Sequence, residues 1–242
     1  MNATALLRHL RNISGNSLVR AGARRIAPQR FVAMTLLAGL GLNGSSHHKQ
    51  SCVNPVQFNA IPNDSKDDRD AFQKAIDKAI RDSADVCIGA GVWEITKIPG
   101  QAAPLISSLH VWGVARPMAI YGAGPSTRVR MLGAGNGGDW NLLEIGEGSA
   151  GVLLKDMSLD GSNRSVTGEQ THLLQLRGPV SHVRVQNVQF NLPEINGVGG
   201  GDCIRLMGEP DREVQAIELH EVTGTYCDRS FVSFQRGVRG VL

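Results

Sequence analysis

The chain has 242 residues, of which 41% are apolar, 19% charged and 5% aromatic, with 29 glycines and 10 prolines. That length buries a substantial core as one large β domain or two small ones, and the apolar fraction excludes a disordered chain, while charge below about a quarter excludes a charged coiled coil. Six of the 25 basic residues and none of the 22 acids lie in residues 1–46, so the remainder is mildly acidic and carries no electrostatic footprint for nucleic acid.

Residues 1–46 read as a signal or targeting segment. Arg8, Arg11, Arg20, Arg24, Arg25 and Arg30 precede the apolar run Phe31–Leu42, and small residues follow at Gly44, Ser45 and Ser46. A run of 12 residues is too short for a stable membrane span, which takes about 20, but suits a signal-peptide core. The chain is therefore expected to be secreted or periplasmic, with an organelle address as the alternative. The folded domain is expected over 47–242. Cys52, Cys87, Cys203 and Cys227 allow two disulfides in three pairings if the chain is exported, with buried free thiols as the other reading. No Cys/His spacing resembles a zinc site.

One helix is predicted, over about 66–82. Asp64-Ser65 can cap it, and Phe72, Ala75, Ile76, Ala79 and Ile80 form its apolar stripe. Asp67, Asp68 and Asp70 suit the positive end of the helix dipole. From about 85 to 242 the chain becomes short apolar runs broken by glycine, among them VCIGAGVWEI, LISSLHVWG and PMAIYGAG. Strands without intervening helices exclude a doubly wound α/β fold and leave a sandwich, a barrel or a solenoid.

A repeat decides among these. NLLEI (141–145) and VLLKDMSL (152–159) recur as HLLQL (172–176) and VRVQNVQF (183–190), and again as DCIRL (202–206) and IELHEVTG (217–224); SFVSF (230–234) opens a fourth copy. Leu143, Leu174, Ile204 and Val232 share a column, as do Ile145, Leu176, Leu206 and Phe234. Period two within a strand, with a period near 30 between strands, is what a stack of parallel coils requires, each rung about 4.8 Å above the last.

On these residues the chain resembles the pectate-lyase-like right-handed parallel β-helix superfamily. FNAIPNDSKDDRDAFQKAIDKA and ADVCIGAGVWEI are similar to its entry segment, capping helix and first strand, and GVLLKDMSLDGSN and SHVRVQNVQF to its later coils. The resemblance covers roughly 54–242. It implies an all-β, single-stranded right-handed solenoid with an N-terminal capping helix, which the missing second half of the fourth copy marks as C-terminally incomplete. An end of that kind exposes backbone edge and core, so a homo-oligomer through it is expected.

Coils of this superfamily carry lyases, hydrolases, epimerases and tailspikes alike, so activity must come from the site. GGGDCI (199–204) is similar to the polygalacturonase GDDCI segment, whose carboxylate pair works on water and leaving oxygen. Here Gly201 stands where an acid is expected, and Asp202 is alone, so Asp202 reads as catalytic or as a turn aspartate. Asn141, His172, Asp202 and Ser230 form one corner column, and Asp156, Asn187 and Glu221 another, each suited to a hydrogen-bonded ladder. The outward column Glu144, Gln175 and Arg205 runs beside Leu142, Leu173, Cys203 and Phe231; it is either a sugar-binding groove or a covered face. In a groove, Arg205 would hold a uronate carboxylate or serve as the base of β-elimination, which needs a strongly perturbed site. Glu144, Asp160, His172, Gln175 and Glu194 are the expected substrate contacts. Asp160, Glu194 and Asp202 offer oxygens of the kind calcium takes, but without ligand-loop spacing, so no cofactor is assigned and calcium is the one candidate. Arg184 and Glu218 should form a surface ion pair between adjacent rungs. The expected function is that of an exported protein acting on an acidic, uronate-containing polysaccharide by lyase, hydrolase or epimerase chemistry; the alternatives are a non-catalytic polysaccharide-binding or adhesion module and an inactive fragment.

Overall fold

A computed structural model describes residues 51–98, 107–133, 140–162, 171–193, 201–227 and 229–242. The expected targeting segment and Glu194 lie outside the described residues. In chain order the elements are β1 (Cys52–Val53), α1 (Arg69–Asp82), β2 (Asp85–Cys87), β3 (Gly91–Thr96), β4 (Ser107–Trp112) and β5 (Met118–Tyr121). There follow β6 (Thr127–Leu132), β7 (Trp140–Gly146), β8 (Ser149–Ala150), β9 (Val152–Asp160), β10 (Thr171–Arg177) and β11 (Val180–Asn191). The last are β12 (Asp202–Met207), β13 (Val214–His220), β14 (Thr223–Thr225), β15 (Ser230–Phe234) and β16 (Val238–Val241).

Every pairing between these strands is parallel. One sheet runs β15-β12-β10-β7-β4; the other follows β1-β2-β5-β9-β11-β13-β16, with β3, β6, β8 and β14 attached. This is an all-β parallel solenoid. The register matches the repeat read from the sequence: Leu143 pairs with Leu174 and Leu174 with Ile204, while Val183 pairs with Ile217. These columns fill the interior, and Leu174, Ile145, Leu176, Ile204 and Leu206 are fully buried.

One corner recurs on successive coils. Asp156, Asn187 and Glu221 occupy successive rungs with φ of 57°, 50° and 52°, and Asn187 Nδ2 donates to Asp156 Oδ1 at 2.9 Å. That left-handed conformation splits β9 and β11 into two faces. Asn and Asp adopt it at the least cost among non-glycine residues, which explains their place in this column. The expected Arg184–Glu218 pair is also present, with Arg184 Nε donating at 2.6 Å.

The helix starts later than predicted, at Arg69. Asp64 and Ser65 do not cap it; Asp68 is the N-cap residue and its carboxylate is used elsewhere. Asp68 Oδ1 accepts from the Ile61 N–H at 3.0 Å and Oδ2 from the Glu94 N–H at 3.3 Å, while Asp67 accepts from the N–H groups of Arg69 and Thr96 and from Thr96 Oγ1. The acids at the helix start therefore fasten it to β3. Burial drives the Asp68 carboxyl above its ordinary pKa, against those backbone bonds. Ala71, Phe72, Ala75, Ile76 and Ala79 are buried; Ile80 of the predicted stripe is only partly so. The Gln73 amide bonds both backbone groups of His110 on edge strand β4, as a neighbouring strand would.

Both disulfides form. Cys52–Cys87 ties β1 to β2, and Cys203–Cys227 ties β12 to the segment after β14. Among the described residues no helix is long and apolar enough to cross a membrane.

Candidate functional site

The outer face of the five-stranded sheet collects most of the residues singled out from the sequence. Pairing places His110, Glu144, Gln175, Arg205 and Ser233 in one column, and Ser107, Asn141, His172, Asp202 and Ser230 along the adjoining corner. The side chains of the two columns bond to each other, so the corner ladder and the outward stripe are one network. In the sequence the two columns show only as separate features.

Along β7 and β10 this face is covered. Glu144 is 0% and Gln175 3% exposed, and Leu142, Leu173 and Cys203 are also buried. A buried carboxylate is costly unless its oxygens are bonded. Glu144 meets that requirement with Ser107 Oγ at 2.8 Å, Gln175 Nε2 at 2.8 Å and Trp112 Nε1 at 3.1 Å. Glu144 therefore bonds to Gln175 and to β4, and neither side chain faces an open groove.

The network opens at β12. Asp202 is fully buried, and its carboxylate accepts two bonds from Arg229, through Nε at 2.9 Å and through the terminal nitrogen at 2.6 Å, with Ser233 Oγ at 2.7 Å. Burial pushes this carboxyl up, but the Arg229 and Ser233 bonds outweigh it and leave the pKa below its ordinary value. His172, also fully buried, places Nδ1 3.1 Å from the Asp202 backbone N–H and Nε2 3.0 Å from an Arg205 terminal nitrogen. Burial and the Arg205 charge lower the imidazole pKa to about 4. Arg205 is half-buried, and the Gln235 amide, oriented by the bonds it can make, accepts from it at 2.7 Å. A line of contacts thus runs Arg229–Asp202–His172–Arg205–Gln235, from an exposed guanidinium through two buried groups to the half-buried Arg205 and the exposed Gln235.

Gly201 has a packing cause. A Cβ there would fall on the Thr171 carbonyl oxygen and lie 2.7 Å from Leu192 Cδ2. No carboxylate fits beside Asp202 at this position.

Asp160 does not join the group. It lies on the other sheet, where it bonds to Ser162 and Asn191 and faces Arg128. Among the described residues no set of three or more His, Cys, Asp or Glu is placed to hold a metal ion. Arg229, Gln235, Ser107, His110 and Trp112 were not foreseen. For the last three a signal existed, because SSLHVW (107–112) fits the columns of NLLEIG (141–146), with Leu109 and Val111 over Leu143 and Ile145.

No family model matches the chain, and no curated protein matches it in sequence. Solved structures do match. The A-module of mannuronan C-5 epimerase AlgE4 from Azotobacter vinelandii superposes with a TM-score of 0.54 at 18% identity, over 76% of this chain and 53% of that one. By fold, the chain is a parallel β-helix. The AlgE6 A-module from the same organism matches the β-helix with a TM-score of 0.44 at 15% identity, over 71% of this chain and 57% of that one. The β-helix thus spans a little over half the length of these two structures.

Proposed function

We propose that this β-helix acts on an acidic, uronate-containing polysaccharide at the β12–β15 end of the five-stranded sheet. The observation that carries this reading is the buried line Asp202–His172–Arg205, which ends in a half-buried guanidinium on the outer face. A guanidinium held in place from behind is suited to grip a carboxylate through paired hydrogen bonds. Neutralising the carboxylate of a uronate acidifies its C5–H. Removal of that proton, followed by its return to the opposite face, is epimerisation; loss of the C4 oxygen instead is β-elimination. A mannuronan C-5 epimerase module among the structural neighbours supports this substrate class. Arg205 is assigned as the carboxylate-holding residue, with Asp202 and His172 as its positioning residues; Gln175 and Glu144 support the rungs behind it.

The test is incubation of the full chain with polymannuronate and with polygalacturonate. Proton NMR would report C5 inversion, ultraviolet absorbance the unsaturated product of elimination, and a reducing-end assay hydrolysis. Turnover in any of the three that is lost in Arg205→Ala supports the reading. Uronate binding without turnover would favour the adhesion alternative, and absence of both would overturn the proposal.

The same reading makes α1 the cap of the N-terminal coil, residues 1–46 a leader for export, and the edge strands β15 and β16 a surface for association of copies. Sedimentation across a dilution series would report that association.

A further inference from the structure

The other sheet carries a second polar surface. Strands β6, β9, β11 and β14 stack so that Arg128, Ser158, Gln189 and Thr223 form one outward column and Arg130, Asp160, Asn191 and Thr225 the next. Between them Val129, Leu159 and Phe190 point inward and are buried. The two columns border a cavity of about 330 Å³. That is within the range of small-ligand pockets, from about 300 Å³ upward.

Two of its groups are buried although they occupy outward positions: Asp160 is 1% and Ser158 7% exposed. Asp160 Oδ1 accepts from the Ser162 N–H at 2.8 Å and from Asn191 Nδ2 at 3.0 Å. Its Oδ2 has no hydrogen-bond donor among the described residues; an Arg128 terminal nitrogen stands 3.6 Å away, in ion-pair range but beyond a hydrogen bond. A buried carboxylate oxygen without a donor is costly, so the cavity lacks one donor.

The chemistry around that oxygen selects what supplies it. A metal ion would be opposed by the Arg128 charge, and a uronate carboxylate by Asp160 itself. A hydroxyl meets both demands, because its hydrogen can go to Asp160 Oδ2 while its oxygen accepts from Arg128. The Arg128 side chain is 48% exposed and can move to admit it. Besides Phe190, the other lining groups, Ser158, Gln189, Asn191, Thr223 and Thr225, are neutral hydrogen-bonding heads matched to further hydroxyls.

We propose that this cavity binds a neutral, hydroxyl-rich sugar unit, giving the β-helix a glycan-binding subsite separate from the Arg205 end. The inference rests on the reading of a carbohydrate-directed protein, and the experiment separates the two. The full chain, isotopically labelled, is titrated with mannotetraose and with cellotetraose, and backbone amide shifts are followed by NMR. Shifts confined to 158–160, 189–191 and 223–225 are expected. Asp160→Asn keeps the Oδ1 bonds but turns the unpaired acceptor into a donor, and should weaken binding about ten-fold or more, as for other bonds to charged groups. Gln189→Ala, at an exposed position that cannot unfold the coil, should weaken it several-fold. Absence of shifts with either oligosaccharide, shifts centred on 202–205, or unchanged affinity in both variants would overturn the subsite. Loss of uronate action with these shifts intact would sink only the Arg205 proposal.

Discussion

His172 Nε2 lies 3.0 Å from a terminal nitrogen of Arg205, a group that can only donate. The other ring nitrogen faces a second donor, the Asp202 backbone N–H, at 3.1 Å. A neutral imidazole can accept from one of them, and an imidazolium from neither. Burial first, and then the adjacent Arg205 charge, keep the ring neutral down to about pH 4, so that it does not oppose that charge.

That geometry sets a pH dependence of stability. The folded pKa of His172, about 4, lies below its ordinary 6.5, so the unfolded chain takes up the proton first as pH falls. Stability present at pH 7 is therefore lost between about 6.5 and 4, by roughly 3 kcal/mol for one group shifted this far. Asp202, also lowered, adds a loss of the same sign at more acid pH, while the raised Asp68 opposes it. Urea titrations from pH 8 to 4 should show the decline, and His172→Gln should flatten it. A flat profile in the parent chain would remove the assigned contacts.

Much of this was legible in the sequence, and the limit is physical. Inward columns such as Leu143–Leu174–Ile204 were readable because rungs repeat identical environments, so the same residue type recurs at a fixed offset. The corner at Asp156, Asn187 and Glu221 was readable for the same reason. Whether the face at Glu144 and Gln175 is a groove or covered was not, because the period-two pattern is the same in either case. Arg229 was hidden likewise: nothing in its spacing links it to Asp202, 27 residues earlier, except the coil that brings them together.

Arg205 should tolerate little. If it holds a uronate carboxylate, Arg205→Ala should weaken binding of an oligouronate about ten-fold or more, the scale of a charge-assisted bond. Arg205→Lys should recover part of this, because charge is kept and the paired geometry lost. Calorimetric titration of the folded variants at pH 7 would measure both. Equal affinity in all three chains would place the carboxylate elsewhere.

Phe72 anchors α1. It is 2% exposed and meets Trp93 edge-on, with ring centroids 5.5 Å apart. Phe72→Ala should cost about 3–5 kcal/mol, the range for deleting a buried aromatic ring. A urea midpoint shift equivalent to less than about 1 kcal/mol would mean that the helix contributes little to the coil beneath it.

Gly201 tests whether a hydrolase-like carboxylate pair can be restored beside Asp202. The position is closed by the Thr171 carbonyl on the preceding rung and by Leu192, so any side chain must push β10 and β12 apart. Those strands pair through His172–Asp202 and Leu174–Ile204, the same contacts that hold the Arg205 network. Gly201→Asp should therefore destabilise the fold by at least about 2 kcal/mol, the scale of overpacking, and Gly201→Ala nearly as much. Neither should gain reducing-end release from polygalacturonate. A Gly201→Asp chain with parental stability and new hydrolytic activity would show that the rung can open and that a second carboxylate fits beside Asp202 after all.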